Sequence, residues 1–474
     1  MGLLTRKRVF AALILSLSFY RFGDIRTPWF TIYLPQTMTL LLLVMAGKLK
    51  PLGKTPLAMP LLGFLLICGL SVFQSAWVPE HPEAYPLLNW SARNTPYVKS
   101  LTQILWIGVG ISAYFLTELM TPDRASALKT VKLWLGAQAI AAALSMVQLM
   151  GNTLQIDALK SFFRGVTTVA GLEYSGRSAY RVTSVFTEPS HLAVFHACLL
   201  PLAIHMVTGR TPPLIRRHWL FALLLMASFA CTLSRTTMLL GTFLTAALIV
   251  RRIRDDQRSG KRRERTKSIV TLLVLLVGGE LIARYVLNSS FVEVILFQIT
   301  TFSNASNISN VSRLISAGAA WDIFMKHPLL GAGIGNYAMH LASVLPWEQL
   351  RFAMPIVGNI YLEILAETGL FGISAFIWVL WSAHRFMKRA IARCESQDDR
   401  AILEDLLMGY HAMLVGFLTF SAFFFPFTWC YIGTMLGLAR VLSRPQVISQ
   451  VRDVVSAKLQ EPPRSAVIHG EQPR

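Results

Sequence analysis

The sequence predicts an all-α polytopic membrane protein with about twelve transmembrane helices and a large, partly helical loop between the ninth and tenth. Three observations predict it. Hydrophobic residues make up 54% of the 474 and charged residues only 15%, with a mean hydropathy of +0.50. A soluble chain carries about a quarter charged residues. Apolar residues come in blocks of about twenty, the length at which a helix crosses ~30 Å of hydrocarbon. Lys and Arg gather between alternate blocks, as cytoplasmic loops of membrane proteins do.

The blocks lie near 9–20, 28–46, 56–77, 99–120, 130–150, 189–207, 218–233, 236–250, 268–287, 359–384, 404–424 and 427–442. The first follows a basic start, MGLLTRKRVF, as in a signal peptide. No small-residue cleavage site comes after it, so it reads as an uncleaved span. With the N-terminus in the cytoplasm, cytoplasmic segments hold 32 of the 45 lysines and arginines. The net charge of +20 is thereby a record of topology, and no nucleic-acid partner is expected. The strongest marker is RRIRDDQRSGKRRERTK, residues 251–267, a cytoplasmic loop suited to anionic membrane lipid. The transmembrane domain is expected to cover residues 1–442, and residues 443–474 a polar, partly disordered cytoplasmic tail. Cys68, Cys198, Cys231, Cys394 and Cys430 show no paired spacing, which implies neither a disulfide framework nor a zinc site.

Three segments on the outer side are long: about 78–98, 151–188 and 288–358. The first carries Trp77 and Trp90 as interfacial anchors. The second ends in GRSAYRVTSVFTEPSH, which holds Arg177, Arg181, Glu188 and His191. Pro189 suits the first position of a helix, so Glu188 is either a favourable charge at a helix N-terminus or a general base for a sugar hydroxyl. His191, one turn inside, either packs or orients that carboxylate. Arg235, in TLSRTT between the seventh and eighth blocks, either snorkels or holds an anion, because guanidinium grips phosphate in a two-pronged geometry.

In the third segment, Arg313, Ile315, Ala319 and Phe324 have helical spacing. His327-Pro328 ends that helix. GAGIGN, residues 331–336, then forms an irregular turn; no strand precedes it and no P-loop lysine follows, which excludes a nucleotide loop. Asn359 is placed to cap the tenth span. Glu363 and Glu367 share one face of its first turns, and Glu280 and Arg284 are one turn apart in the ninth. His327 and His340 lack ligand spacing, so no metal site and no cofactor are expected. These residues together describe an arginine-rich site at the outer membrane face, suited to a lipid-linked anionic group.

The ordered set Ser234-Arg235, Arg313 with Trp321, HPLLGAGIGN and NIYLEILAETGLFG resembles the superfamily of O-antigen ligases and Wzy-type O-antigen and exopolysaccharide polymerases over roughly residues 220–385. RVTSVFTEPSHLA resembles the segment before a middle span of capsule-type polymerases. The resemblance implies a GT-C-like membrane fold in a bacterial inner membrane, with a periplasmic active site and cytoplasmic termini. It implies a metal-independent glycosyltransferase using undecaprenyl-diphosphate-linked oligosaccharide. A chain-length regulator and a flippase of the same pathway would be its partners. It implies that Arg235 and Arg313 contact the donor diphosphate, with Glu188 and His191 beside them in catalysis. Arg177, Arg181, Asn336, Asn359, Tyr361 and Glu363 are the candidate substrate contacts. Ligases place a histidine immediately before the residue equivalent to Asn359; here Gly358 stands there. That departure favours a polymerase over a ligase or a protein O-oligosaccharyltransferase. A lipid-linked glycan flippase is the alternative of another class, disfavoured because most span middles carry no charge.

Overall fold

The computed structural model describes residues 3–19, 25–26, 31–46, 55–78, 95–166, 171–174, 177–259, 284, 308–419 and 425–443. Its helices are α1 (Leu3–Ser16), α2 (Leu34–Ala46), α3 (Ala58–Ser71, continued as a 3-10 turn over Val72–Trp77), α4 (Pro96–Leu119), α5 (Arg124–Thr153), α6 (Asp157–Val166), α7 (Pro189–Ala197), α8 (Leu200–Val207), α9 (His218–Cys231) and α10 (Arg235–Ser259). Beyond the third outer segment's start come α11 (Ile308–Lys326), α12 (Tyr337–Val344), α13 (Trp347–Leu350), α14 (Ile360–Arg393), α15 (Gln397–Gly416) and α16 (Pro426–Leu442). The all-α expectation needs one small correction. Two short antiparallel hairpins are present, β1 (Ile25–Arg26) with β2 (Thr31–Ile32) and β3 (Gly171–Tyr174) with β4 (Arg177–Tyr180).

α16 is the axis on which the helices are hung. PFTWCYIGTMLGLARVL is apolar on every side, and a helix of that kind must be covered all round. Nearly all of it is buried, against α4, α5, α14 and α15. Trp134 of α5 donates from Nε1 to Thr434 Oγ1 at 3.0 Å, giving the one polar atom of a buried indole its partner.

Among the described residues, four helices are long and apolar enough to cross a membrane: Ala58–Trp77, Pro96–Leu119, Arg124–Thr153 and Ile360–Arg393. The sixth block, read from sequence as one helix, is a pair, α7 and α8, bent by 49°. Pro201 sits in the first turn of α8 and cannot donate. The freed carbonyls find side chains: Gln138 Nε2 donates to Phe195 O, and Tyr431 Oη donates to Cys198 O at 2.9 Å. Such repair is required where no water reaches the backbone. α2, α9 and Leu239–Leu248 of α10 are apolar but shorter than a span requires. The expectation of twelve spans therefore exceeds what the described helices meet by length and composition. The ninth block, 268–287 with Glu280, lies outside the described residues apart from Arg284. So do most of 78–98, the tail beyond 443 and the basic run beyond 259.

At the basic end of the bundle, ion pairs join helices far apart in sequence. Arg124 meets Asp399 at 2.7 Å, Arg440 meets Glu118 at 2.7 Å, and Arg251 reaches both Asp405, at 2.8 Å, and Glu404. Asp405 is fully buried and also holds His205 Nδ1 and the Thr211 hydroxyl. A buried carboxylate needs such a complete set of partners.

Candidate active site

At the opposite end, the segment leading into α7 is pinned before it reaches Glu188. Gln148 Oε1, from α5, accepts the amides of Thr183 and Ser184, each at 2.8 Å. Ser184 takes a left-handed φ of 52° to present its amide. Val182 N donates to Cys231 O at 3.1 Å, and Arg181 Nε to Thr232 O at 3.3 Å. Arg181 is thus held against the α9–α10 turn. Glu188 follows in the cap position of α7, in extended backbone, with Pro189 opening the helix. Its carboxylate caps nothing. It accepts from Ser190 Oγ at 3.1 Å and stands 3.9 Å from His191 Nε2. The His191 ring packs edge-on against Phe425, 4.9 Å between centroids.

The α9–α10 turn is bent through Leu233, whose φ of 45° is a conformation that costs a side-chain-bearing residue of order 1–3 kcal/mol. Ser234 then caps α10, accepting Thr237 N at 3.0 Å. Arg235 is fixed at the first helical position, where a cation opposes the helix dipole. Local chemistry does not ask for arginine there. Thr236 Oγ1 meets Thr419 Oγ1 at 2.8 Å, joining this turn to the end of α15. Ile360 N donates to Phe417 O at 3.0 Å, and Tyr361 Oη to Leu414 O at 2.9 Å, joining the start of α14 to the same end. Asn359 caps α14 with Oδ1, which accepts Tyr361 N and Leu362 N. Backbone and side-chain bonds therefore bring the starts of α7, α10 and α14 to one end of the bundle, and with them Arg181, Glu188, His191, Arg235, Asn359 and Tyr361. The side chains of Arg177, in β4, and of Arg235 lie outside those described.

The long loop has a different construction. α14 is broken at Gly369, with φ 64° and ψ −162°. The backbone groups freed there pair with residues 328–333. Ala332 N and Gly333 N donate to Ala366 O and Glu367 O at 2.9 Å, and Leu370 N donates to Pro328 O at 2.8 Å. Gly331 has φ 68°, and a Cβ there would lie 2.2 Å from the Glu367 carbonyl carbon. The glycine turn is a plug in a helix break. Asn336, fully buried, donates from Nδ2 to Ser75 and Ser100, and Ser71 Oγ accepts Ile334 N. Glu367 Oε1 accepts Tyr337 N at 3.2 Å. Asn336 and Glu367 thus fasten the turn to α3, α4 and α14, while Glu363 is buried one turn from Glu367. α11, which packs against α12 and α14, carries Arg313, half-buried. Among the described residues no hydrogen bond or ion pair joins Arg313 to Glu188 or Arg181.

His327 and His340 pack ring edge to face, 5.4 Å apart, beside the plug. Burial, then the neighbouring His327, pushes His340 down to about 4. Burial and Lys326 lower His327 as well.

Residues 220–377 match the family model Wzy_C, described as O-antigen ligase. The match supports the O-antigen ligase/Wzy superfamily for this third of the chain. No curated protein matches the chain. The superfamily segment contains Arg235, Arg313, Asn336, Asn359, Tyr361 and Glu363, whereas Arg177, Arg181, Glu188 and His191 precede it. Two features of the site were missed from sequence. The Ser-Arg-Thr-Thr pattern at 234–237 is a helix-cap signal overshadowed by its arginine. Gln148, near the end of an apolar block, is visible in the sequence only as one polar residue among apolar ones.

Proposed function

We propose that the protein is a polysaccharide polymerase that transfers a growing glycan from undecaprenyl diphosphate to the next lipid-linked repeat unit, outside a bacterial inner membrane. The observation that carries the reading is the gathering of Arg181, Glu188 and the Ser234-Arg235 helix start at one end of the bundle. In the proposed step, an acceptor sugar hydroxyl attacks the anomeric carbon of the donor. The bond from that carbon to the diphosphate oxygen breaks, and undecaprenyl diphosphate leaves with the electron pair. Glu188 takes the hydroxyl proton; it is partly exposed and not spent on capping its helix. Arg235 and Arg313 hold the diphosphate and stabilise the charge that develops on it. Arg177 and Arg181 steer the anionic substrate, and His191 orients Glu188. Asn359, Tyr361 and Glu363 shape the wall on which the glycan lies.

Gly358 supports a polymerase over a ligase. It has φ 70°, which glycine adopts freely and a residue with a side chain only at a cost. The ligase reading has its own support in the description of the matched family. The ion pairs that tie Arg124, Arg251 and Arg440 across the opposite end support an enzyme over a flippase, which must open at that face. Acceptor choice is the test. Purified protein in bilayers is given a synthetic undecaprenyl-diphosphate oligosaccharide, alone and with a lipid A-core acceptor. A ladder of longer lipid-linked glycans without the second acceptor is the polymerase result; product only with lipid A-core is the ligase result.

A further inference from the structure

α11 buries one face and leaves another bare. Ala319, Ala320 and Ile323 pack toward α12 and α14. On the opposite face Leu314, Trp321 and Met325 are 78%, 50% and 61% exposed, and Leu329, just past the helix, is 57% exposed. Spacings of seven and four residues put Leu314, Trp321 and Met325 in one stripe of the helix, and Leu329 follows where the helix ends. Asp322 and Lys326, both exposed, flank it. A stripe of this kind on an otherwise well-packed element marks a contact surface.

Its continuation identifies the occupant. Phe371 N donates to Leu329 O at 3.3 Å, and Leu370 N to Pro328 O, so the stripe runs directly onto exposed Leu370 and Phe371 of α14. α14 is long and apolar enough to cross a membrane, and its exposed face goes on through Ile377, Trp378 and Trp381. On the other side of the plug, Ser71 and Ser75 of α3 hold the turn at the level where exposed Phe73 and Trp77 end that span. The apolar surface of α11 is therefore continuous with the exposed apolar faces of two helices long and apolar enough to cross a membrane.

We propose that α11 is an interfacial helix whose Leu314–Trp321–Met325 face lies in the acyl region of the bilayer, leaving Arg313 at the depth of lipid headgroups. An amphipathic helix binds in this way, apolar face immersed and charged flank in the headgroups, and tryptophan favours that boundary. Arg313 leaves the stripe sideways, about 100° around the helix from Leu314. A headgroup phosphate, including the diphosphate of a polyprenyl lipid, would meet it there without leaving the membrane. The break at Gly369 then acts as the joint that lays α11 beside the membrane. This placement stands whether or not the protein transfers glycans.

The test is site-directed spin labelling of the full chain in lipid vesicles. The native cysteines within the described residues are all buried, so Leu314→Cys, Trp321→Cys, Met325→Cys and Asp322→Cys supply the reactive thiols. Labels at 314, 321 and 325 should collide with dissolved oxygen more than with a water-soluble nickel chelate, with the preference inverted at 322. Nickel preference at all four positions would overturn the proposal. So would labels at 314, 321 and 325 shielded from both reagents, the result of a protein partner or a second copy on this face. If Trp321→Cys misfolds, positions 314 and 325 still decide it.

Discussion

Leu329 and Gly369 meet backbone to backbone: a Cβ on Gly369 would lie 2.4 Å from the Leu329 carbonyl carbon and oxygen. The contact is possible because Gly369 sits at φ 64°, and it lets residues 328–333 complete the hydrogen bonds that the break in α14 leaves open. Gly369→Ala should cost more than the roughly 1–2 kcal/mol of a left-handed alanine, since backbone must also move. The expected outcome is loss of monodisperse protein or a clear fall in thermal midpoint in detergent. A control at Gly318, where a Cβ meets nothing within 4 Å, should leave the midpoint near wild type.

Asn359 and Glu188 occupy the same position on two helices and behave differently. Asn359 spends its oxygen on two amides of α14, whereas Glu188 makes no capping bond. Asn359→Ala should therefore lower stability by about 1 kcal/mol, read as an earlier thermal midpoint. Glu188→Gln should leave the midpoint unchanged and reduce transfer by about 10²–10⁴, the usual contribution of a general base. A normal rate in Glu188→Gln returns that residue to a role in helix electrostatics.

His340 links the long loop to pH. Its folded pKa, about 4, lies below the ordinary histidine value because burial disfavours the charged ring. A neutral ring preferred in the folded state contributes stability fully above about pH 6.5, and that contribution is lost as pH falls toward about 4. Protection factors of α12 amides, corrected for the intrinsic pH dependence of exchange, should fall as pH drops through this window, with a maximum slope of about 1.4 kcal/mol per pH unit from this one proton. His340→Gln, which cannot charge, should flatten the dependence; an unchanged slope would assign it to another group.

The arginines divide by task. Arg235→Ala and Arg313→Ala should each abolish transfer while leaving the fold intact, and lysine should restore little because it lacks the two-pronged donor geometry. Arg124→Ala, by contrast, breaks a bond to Asp399 at the opposite end and should change stability with little effect on substrate affinity.

The fold was legible where composition decides it. Apolar blocks located most of the helices, and His327-Pro328 marked the end of α11 one residue past Lys326. Residues that act across the chain were not legible. Nothing in the local sequence says that Gln148 clamps residues 183–184, that Gly331 fills the break at Gly369, or that Tyr431 repairs the break between α7 and α8. Asn336 reads from the sequence as a candidate substrate contact, and in the structure it is a fully buried bolt between α3 and α4. Arg235 was singled out for its charge, and its placement by Ser234 and the strained Leu233 came only with the structure.

The most direct measurement is made on purified protein in bilayers with a synthetic undecaprenyl-diphosphate-linked oligosaccharide as sole substrate. Longer lipid-linked glycans should appear together with free undecaprenyl diphosphate, and both should vanish in Arg235→Ala. Neither elongation nor transfer, with or without an added lipid A-core acceptor, would contradict the enzyme reading itself.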